Sequence, residues 1–183
     1  MRTVVKPPLE EAVSLAEARL HLKIDDDLTD DDARIAQLIV TAREMAEAEL
    51  CRPLLPQTCV IGVDAFTPRI RLWADVTRVI GVEYRDAEGD AGDARATVGR
   101  DRYRLVGGAD LVGEWPVGSE VKVTFECGAF ASGRDVPRSI HAWMLIQIGG
   151  LYEGRQSLGP LRMHAMPTAF VDRLLDGYRR LGV

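Results

Sequence analysis

The chain has 183 residues, 46% hydrophobic and 28% charged, which is enough to bury a core in one domain or in a domain with an insertion. No apolar run reaches the roughly 18 residues of a membrane span. The opening MRTVVKPPLEEAV lacks the apolar block of a signal peptide, so a soluble, cytoplasmic chain is expected. The formal net charge of −5 argues against the basic footprint of a general nucleic-acid module.

The first predicted element is a short helix. Ser14 opens SLAE with Glu17 three residues on, a capping-box pattern, and Leu15, Ala18 and Leu22 share one face. The acidic run DDDLTDDDARIA follows, from Asp25 to Ala36. Read as a calcium loop, Asp25, Asp27 and Thr29 fit, but position six is Asp30 where glycine is needed and position twelve is Ala36 where a bidentate acid is needed. The alternative reading is a helix start: Thr29 or Asp30 caps the next helix, with Asp31 and Asp32 in its first turn, where the dipole favours negative charge. That helix is expected over 31–50, with Ile35, Leu38, Ile39, Ala42, Met45, Ala46 and Leu50 at helical spacing, and CRPLLP stops it.

The texture then becomes short, β-branched and roughly alternating: QTCVIGVDAF, RIRLW, RVIGVEYRDA, DRYRLV and EVKVTFECGAF. These predict a meander of about five to seven antiparallel strands, with one hairpin around the tip DAEGDAGDA. At DVPRSIHAWMLIQIGGLYEGRQ it changes back. Pro137 suits a first helical turn, Ile140, Trp143, Met144, Ile148 and Leu151 form a stripe, and Gly149 and Gly150 weaken the helix unless close packing needs them. QSLGPLRMHAM reads as a loop. Pro167 begins a last helix with Phe170, Val171, Leu174, Leu175 and Tyr178 on one side.

The order helix, helix, strands, helix, helix predicts an α+β fold. Residues 1–56 and 131–183 form one helical bundle, and 57–130 form an inserted antiparallel β-meander, because neither helical pair alone is large enough for a core.

Candidate chemistry is sparse. Cys51, Cys59 and Cys127 are odd in number and without CxxC, so buried free thiols are expected and neither a disulfide framework nor a zinc site. His21, His141 and His164 lie far apart, and no nucleophile elbow or phosphate loop is present. No catalytic, cofactor or metal residues are expected. Trp73, Trp115 and Trp143 read as core or interface anchors. Tyr152–Arg155, YEGR, reads either as a helix end stopped by Gly154 or as an interface corner. Charge is uneven. Residues 1–50 hold 6 cations and 12 anions (−6), 51–136 hold 11 and 13 (−2), and 137–183 hold 6 and 3 (+3). Opposite-charged ends can attract within a chain or between copies.

Five stretches, in order, together resemble one family. VSLAEARLHLKID, DDARIAQLIVTAREMAEAE and CRPLLPQT resemble the opening of tailed-phage head–tail connector proteins, also called head-completion or adaptor proteins, found in phages, prophages and gene transfer agents. Cys51 stands where that family often has glycine. VPRSIHAWMLIQIGGLYEGRQ resembles the family's VP-x-x-[IL]-x-x-A helix ending in YE-x-R, and VDRLLDGYRR its V-x-x-LL-x-x-YR ending. The resemblance implies a structural virion subunit and no enzyme activity or cofactor. Such proteins form a ring, typically of twelve subunits, under the portal protein. The ring extends the DNA channel without sequence-specific binding and presents a surface to a tail-side stopper or completion protein. It is assembled in the host cytoplasm and does not enter a membrane. The candidate interface residues are Asp25, Asp26, Asp27, Tyr152, Glu153, Arg155, Phe170, Tyr178, Arg179 and Arg180. The C-terminal segment from Pro167 is expected to dock on the portal. The rival readings are a tail-completion or tail-terminator role and a small cytoplasmic hydrolase around His141 and Asp135.

Overall fold

The computed structural model describes residues 2–25, 27–86, 95–154, 171 and 173–180. It is an α+β chain in two compact units. A helical unit comprises Glu10–Leu54 and Phe130–Val183, and a sheet unit comprises Met1–Leu9 and Leu55–Ala129.

In the helical unit, α1 spans Leu15–Leu22, α2 Asp32–Leu50 and α3 Arg138–Glu153. Ser14 and Glu17 make the expected capping box, satisfying two orphan amides at the start of α1. The apolar stripe of α2 turns Ile35, Ile39, Ala42, Ala46 and Leu50 inward, but Met45 is exposed. Helix α3 buries Ile140, Trp143, Met144 and Ile148, while Leu151 stays exposed. The three helices pack against one another. Both α1 and α2 end in a left-handed residue, Lys23 (φ 57°) and Cys51 (φ 54°), whose amides close the last turn. That backbone favours glycine over a residue with a Cβ such as Cys51. Cys51 is also exposed, against the expectation of three buried thiols. Neither late glycine of α3 is required by packing within the described residues: a Cβ on Gly149 would make ordinary contact with His21, and one on Gly150 would meet open space.

The described part of the expected last helix holds Val171 in helical conformation and a single 3₁₀ turn over Asp176–Tyr178. Val171 and Leu175 are buried. The loop expected over 156–166 and the tip at 87–94 lie outside the described residues.

In the sheet unit, β1 spans Arg2–Lys6, β2 Gln57–Ala65, β3 Arg69–Arg71, β4 Val76–Asp86, β5 Arg95–Thr97, β6 Tyr103–Val106, β7 Asp110–Gly113 and β8 Gly118–Cys127. All pairings are antiparallel. One sheet has the order β1-β2-β8-β4-β5 and a smaller one β3-β7-β6. This corrects two expectations. The region is not a simple meander, since β8 inserts between β2 and β4. Residues 2–6, expected to lie in the helical part, form a strand paired with β2. All five β1 residues are exposed, so no alternating burial marked it as a strand. The hairpin β4–β5 is present, pairing Glu83 with Thr97 and Arg85 with Arg95. The core gathers Phe125, Val121, Val123, Val82, Leu111 and Ile70, and the buried thiols Cys59 and Cys127 approach within 3.8 Å.

Candidate interface residues

The acidic turn is organised by an arginine that carries no periodic signal. Arg19, on the buried side of α1 and only 9% exposed, reaches the Asp32 carboxylate at 2.8 and 3.0 Å. Its second amino group donates to the carbonyls of Asp25 (2.7 Å) and Leu28 (3.0 Å). These charge-assisted bonds tie down the backbone between α1 and α2, leaving Asp25, Asp27 and Asp30 exposed. Asp26 lies outside the described residues.

The expected cap by Thr29 or Asp30 is not what forms. Asp31 is the N-cap of α2 and makes no side-chain capping bond. Its carboxylate instead accepts the Tyr152 hydroxyl at 2.6 Å, and Arg34 lies 5.7 Å from the Tyr152 ring centre. Tyr152 therefore ties the end of α3 to the start of α2. Glu153 is exposed, and Gly154 caps α3 in right-handed conformation, so its glycine freedom is not what stops the helix. Arg155 lies outside the described residues.

The C-terminal candidates sit at the other end of α2. Arg179 pairs with Glu49 at 3.2 Å and with Asp176 at 3.7 Å. The Arg180 amide donates to the Leu50 carbonyl, and Tyr178 is half-buried. Phe170 lies outside the described residues. The 19 residues of α2 separate the two groups by about 28 Å at 1.5 Å per residue. The candidates thus form two patches.

A second buried arginine, also unmarked by any pattern, holds the first segment to α2. Arg43 meets Glu11 at 2.9 Å and Glu47 at 3.0 Å, and the other Glu47 oxygen accepts the Leu54 amide. Burial pushes the Glu11 carboxyl above its usual range, against the pull of Arg43. Nearby is a cleft of about 530 Å³ bordered by Glu10, Ser14, Glu17, Arg134, Arg138 and His141. The amide and hydroxyl of Ser14, with a smaller pull from His141, hold the Glu17 carboxyl below its usual range. His141 faces Glu17 at 3.6 Å, whereas Asp135 accepts the Ser132 hydroxyl. The pair named for a hydrolytic site is thus engaged with other groups. Among the described residues no cluster of three His, Cys, Asp or Glu side chains is placed to hold a metal, and no helix is long and apolar enough to cross a membrane. His164 lies outside them.

In the sheet unit, Trp73 is buried under the Arg2 guanidinium, 3.4 Å from its ring centre. Trp115 stacks on Phe66 at 5.1 Å and on Tyr103 at 6.2 Å. Trp143 belongs to the helical core. All three serve as packing anchors.

Comparison with known proteins meets the resemblance read from the sequence. Residues 12–97 match the model of the family described as phage gp6-like head-tail connector protein. Solved structures similar over 100% of this chain and 97% of their own include a chain from the neck of an empty gene transfer agent (GTA) particle computed with C6 symmetry (TM-score 0.74, 21% identity). Two others are a chain from the virion of a native GTA particle (TM-score 0.75, 21% identity) and one from the neck of a native GTA particle computed with C12 symmetry (TM-score 0.71, 22% identity). At these identities the likeness is one of fold. No curated protein matches the chain.

Proposed function

We propose, from a chain whose residues 12–97 carry the phage gp6-like head-tail connector pattern, that this protein is a structural subunit of a phage or GTA neck. The observation that carries the reading is the whole-length fold likeness to chains of GTA particle necks, with 100% of this chain covered. In this reading the subunits form a ring, a dodecamer when assembled, between the portal protein and a tail-side stopper, and the ring continues the DNA channel. The C12 symmetry of one similar neck supports the count. The protein belongs to the virion and performs no catalysis; its work is geometric.

The helices α1–α3 and the C-terminal segment form the bundle in this reading, with the larger part of the sheet unit, Leu55–Ala129, inserted in the chain between Leu54 and Phe130. The two ends of α2 then serve different neighbours. The patch of Tyr178, Arg179 and Arg180 faces the portal together with Phe170 and the rest of the C-terminal segment. The acidic turn and Tyr152–Arg155 face adjacent subunits.

The test is electron microscopy of the full chain mixed with its portal, alongside particles assembled without it. A ring seated on the portal, and filled heads lacking necks when the chain is absent, are the expected results. A ring bound only to tail-tube protein would assign the chain to tail completion instead.

A further inference from the structure

The small sheet carries a charged face that the apolar core does not use. Residues paired across antiparallel strands point to the same side. Arg69, Val112 and Arg104 form one such row, and Arg71, Asp110 and Val106 form the next row on that side. The row between them, Ile70–Leu111–Leu105, points the other way, where Ile70 and Leu111 are buried. The outer face therefore sets three arginines against one aspartate, a surplus of two positive charges. Asp110 is shared by Arg71 at 2.9 Å and Arg69 at 3.6 Å, and the Arg69 side chain is still 67% exposed. Beyond Arg104, Glu114 lies beside Arg102, its amide bonded to the Arg102 carbonyl, and Asp101 borders the same surface, so this end offsets one of the two surplus charges and the face keeps a net positive charge. Val112 is half-buried and Val106 exposed, giving the face an apolar centre between its cations.

The acidic turn of the helical unit has the complementary design. Leu28 is 56% exposed and is flanked in sequence by the exposed Asp27 and Asp30. Arg19 already fixes this backbone, so docking it costs little ordering entropy. We propose that the arginine face of one copy takes Asp27, Leu28 and Asp30 of a second copy of this chain. Leu28 covers Val106 and Val112, and the two carboxylates meet Arg69 and Arg104. The partners are different surfaces, so the contact is heterologous and repeats around a ring; the proposal rests on the ring reading above. A nucleic-acid phosphate track is the poorer occupant, because it leaves the valines uncovered and places phosphates beside Asp110.

The test is charge exchange in the full chain. Arg69→Glu with Arg104→Glu sets like charges across the contact, and so does Asp27→Arg with Asp30→Arg. Each double variant alone should lower incorporation into purified particles about tenfold or more, since close like charges disfavour the wrong pairing. Mixed together, the two should alternate around the ring with every contact restored, and incorporation should return to within about twofold of wild type. Circular dichroism establishes that both variants fold. Wild-type incorporation of either variant alone overturns the proposal while leaving the connector reading intact, and so does failure of the mixture when both variants are folded. A wild-type shift of duplex DNA that the Arg69/Arg104 variant abolishes would give the face to phosphate, overturning it as well. Absence of the wild-type chain from particles sinks the connector reading and this proposal with it.

Discussion

Arginine does opposite work in the two units. In the helical unit Arg19 and Arg43 lie inside, 9% and 3% exposed, each holding two or more segments through carboxylates and carbonyls. In the sheet unit the described arginines lie outside the hydrophobic core. Arg85 meets Glu120 and Arg78 meets Glu126 with arginine side chains 44% and 58% exposed and both partners at the surface. A buried guanidinium whose partner is removed leaves an uncompensated charge, whereas an exposed pair exchanges protein for water with little net change. The helical unit therefore depends on its arginines for structure, whereas the sheet unit carries its own at the surface.

The largest effects should separate the units by residue type. Arg43→Ala strands Glu47 and Glu11 and should cost about 3–5 kcal/mol. Phe125→Ala, at 0% exposure, should cost about the same in the sheet unit by opening a cavity. Arg85→Ala should change stability by only about 0–1 kcal/mol. Urea unfolding of the three variants measures this directly. A large loss for Arg85→Ala, or none for Arg43→Ala, would erase the contrast.

Arg19→Met should cost less, about 2 kcal/mol, because Asp32 is 27% exposed and can recover water. Its distinctive mark should be faster hydrogen exchange at the Ile24 and Leu28 amides, which bond to the carbonyls of Arg19 and Asp25. Uniform acceleration across the whole helical unit would mean that Arg19 is a general prop with no special hold on the turn.

A smaller, pH-dependent effect belongs to Glu17. Its folded-state pKa is lowered, chiefly by the Ser14 amide and hydroxyl. The stability it contributes is therefore complete above its ordinary carboxylate value and is lost as pH falls through the lowered value. Urea midpoints of the wild type should exceed those of Glu17→Gln at neutral pH and converge with them in acid. A gap that stays constant to about pH 3 would assign the difference to the lost capping geometry alone.

The smallest change should be a gain. Cys51 holds φ at 54°, so Cys51→Gly relieves left-handed strain at the end of α2 and should add up to about 1 kcal/mol, offset in part by the greater freedom of the unfolded chain. A thermal melt resolves it; a loss would mean that the Cys51 side chain packs usefully where it is.

The sequence by itself determined what repeats at short range. The capping box at Ser14 and Glu17, the inward stripe of α2, the helix opened by Pro137 and the β4–β5 hairpin all follow from residues a few positions apart, where spacing translates into facing. The ordered resemblance of five stretches to connector proteins was legible for the same reason. Tertiary structure decided what depends on distant residues. Strand β1 shows no alternation, so its pairing with β2 had no local mark, and β8 enters between β2 and β4 because a core-forming strand pairs where its apolar face is buried. Arg19 and Arg43 follow Ala18 and Ala42 with nothing to mark them as buried, since a charge is placed inside only by the carboxylates and carbonyls that meet it there. The arginine face likewise exists only once β3, β7 and β6 are in register, because that register brings Arg69 and Arg104, 35 positions apart in the chain, onto either side of Val112.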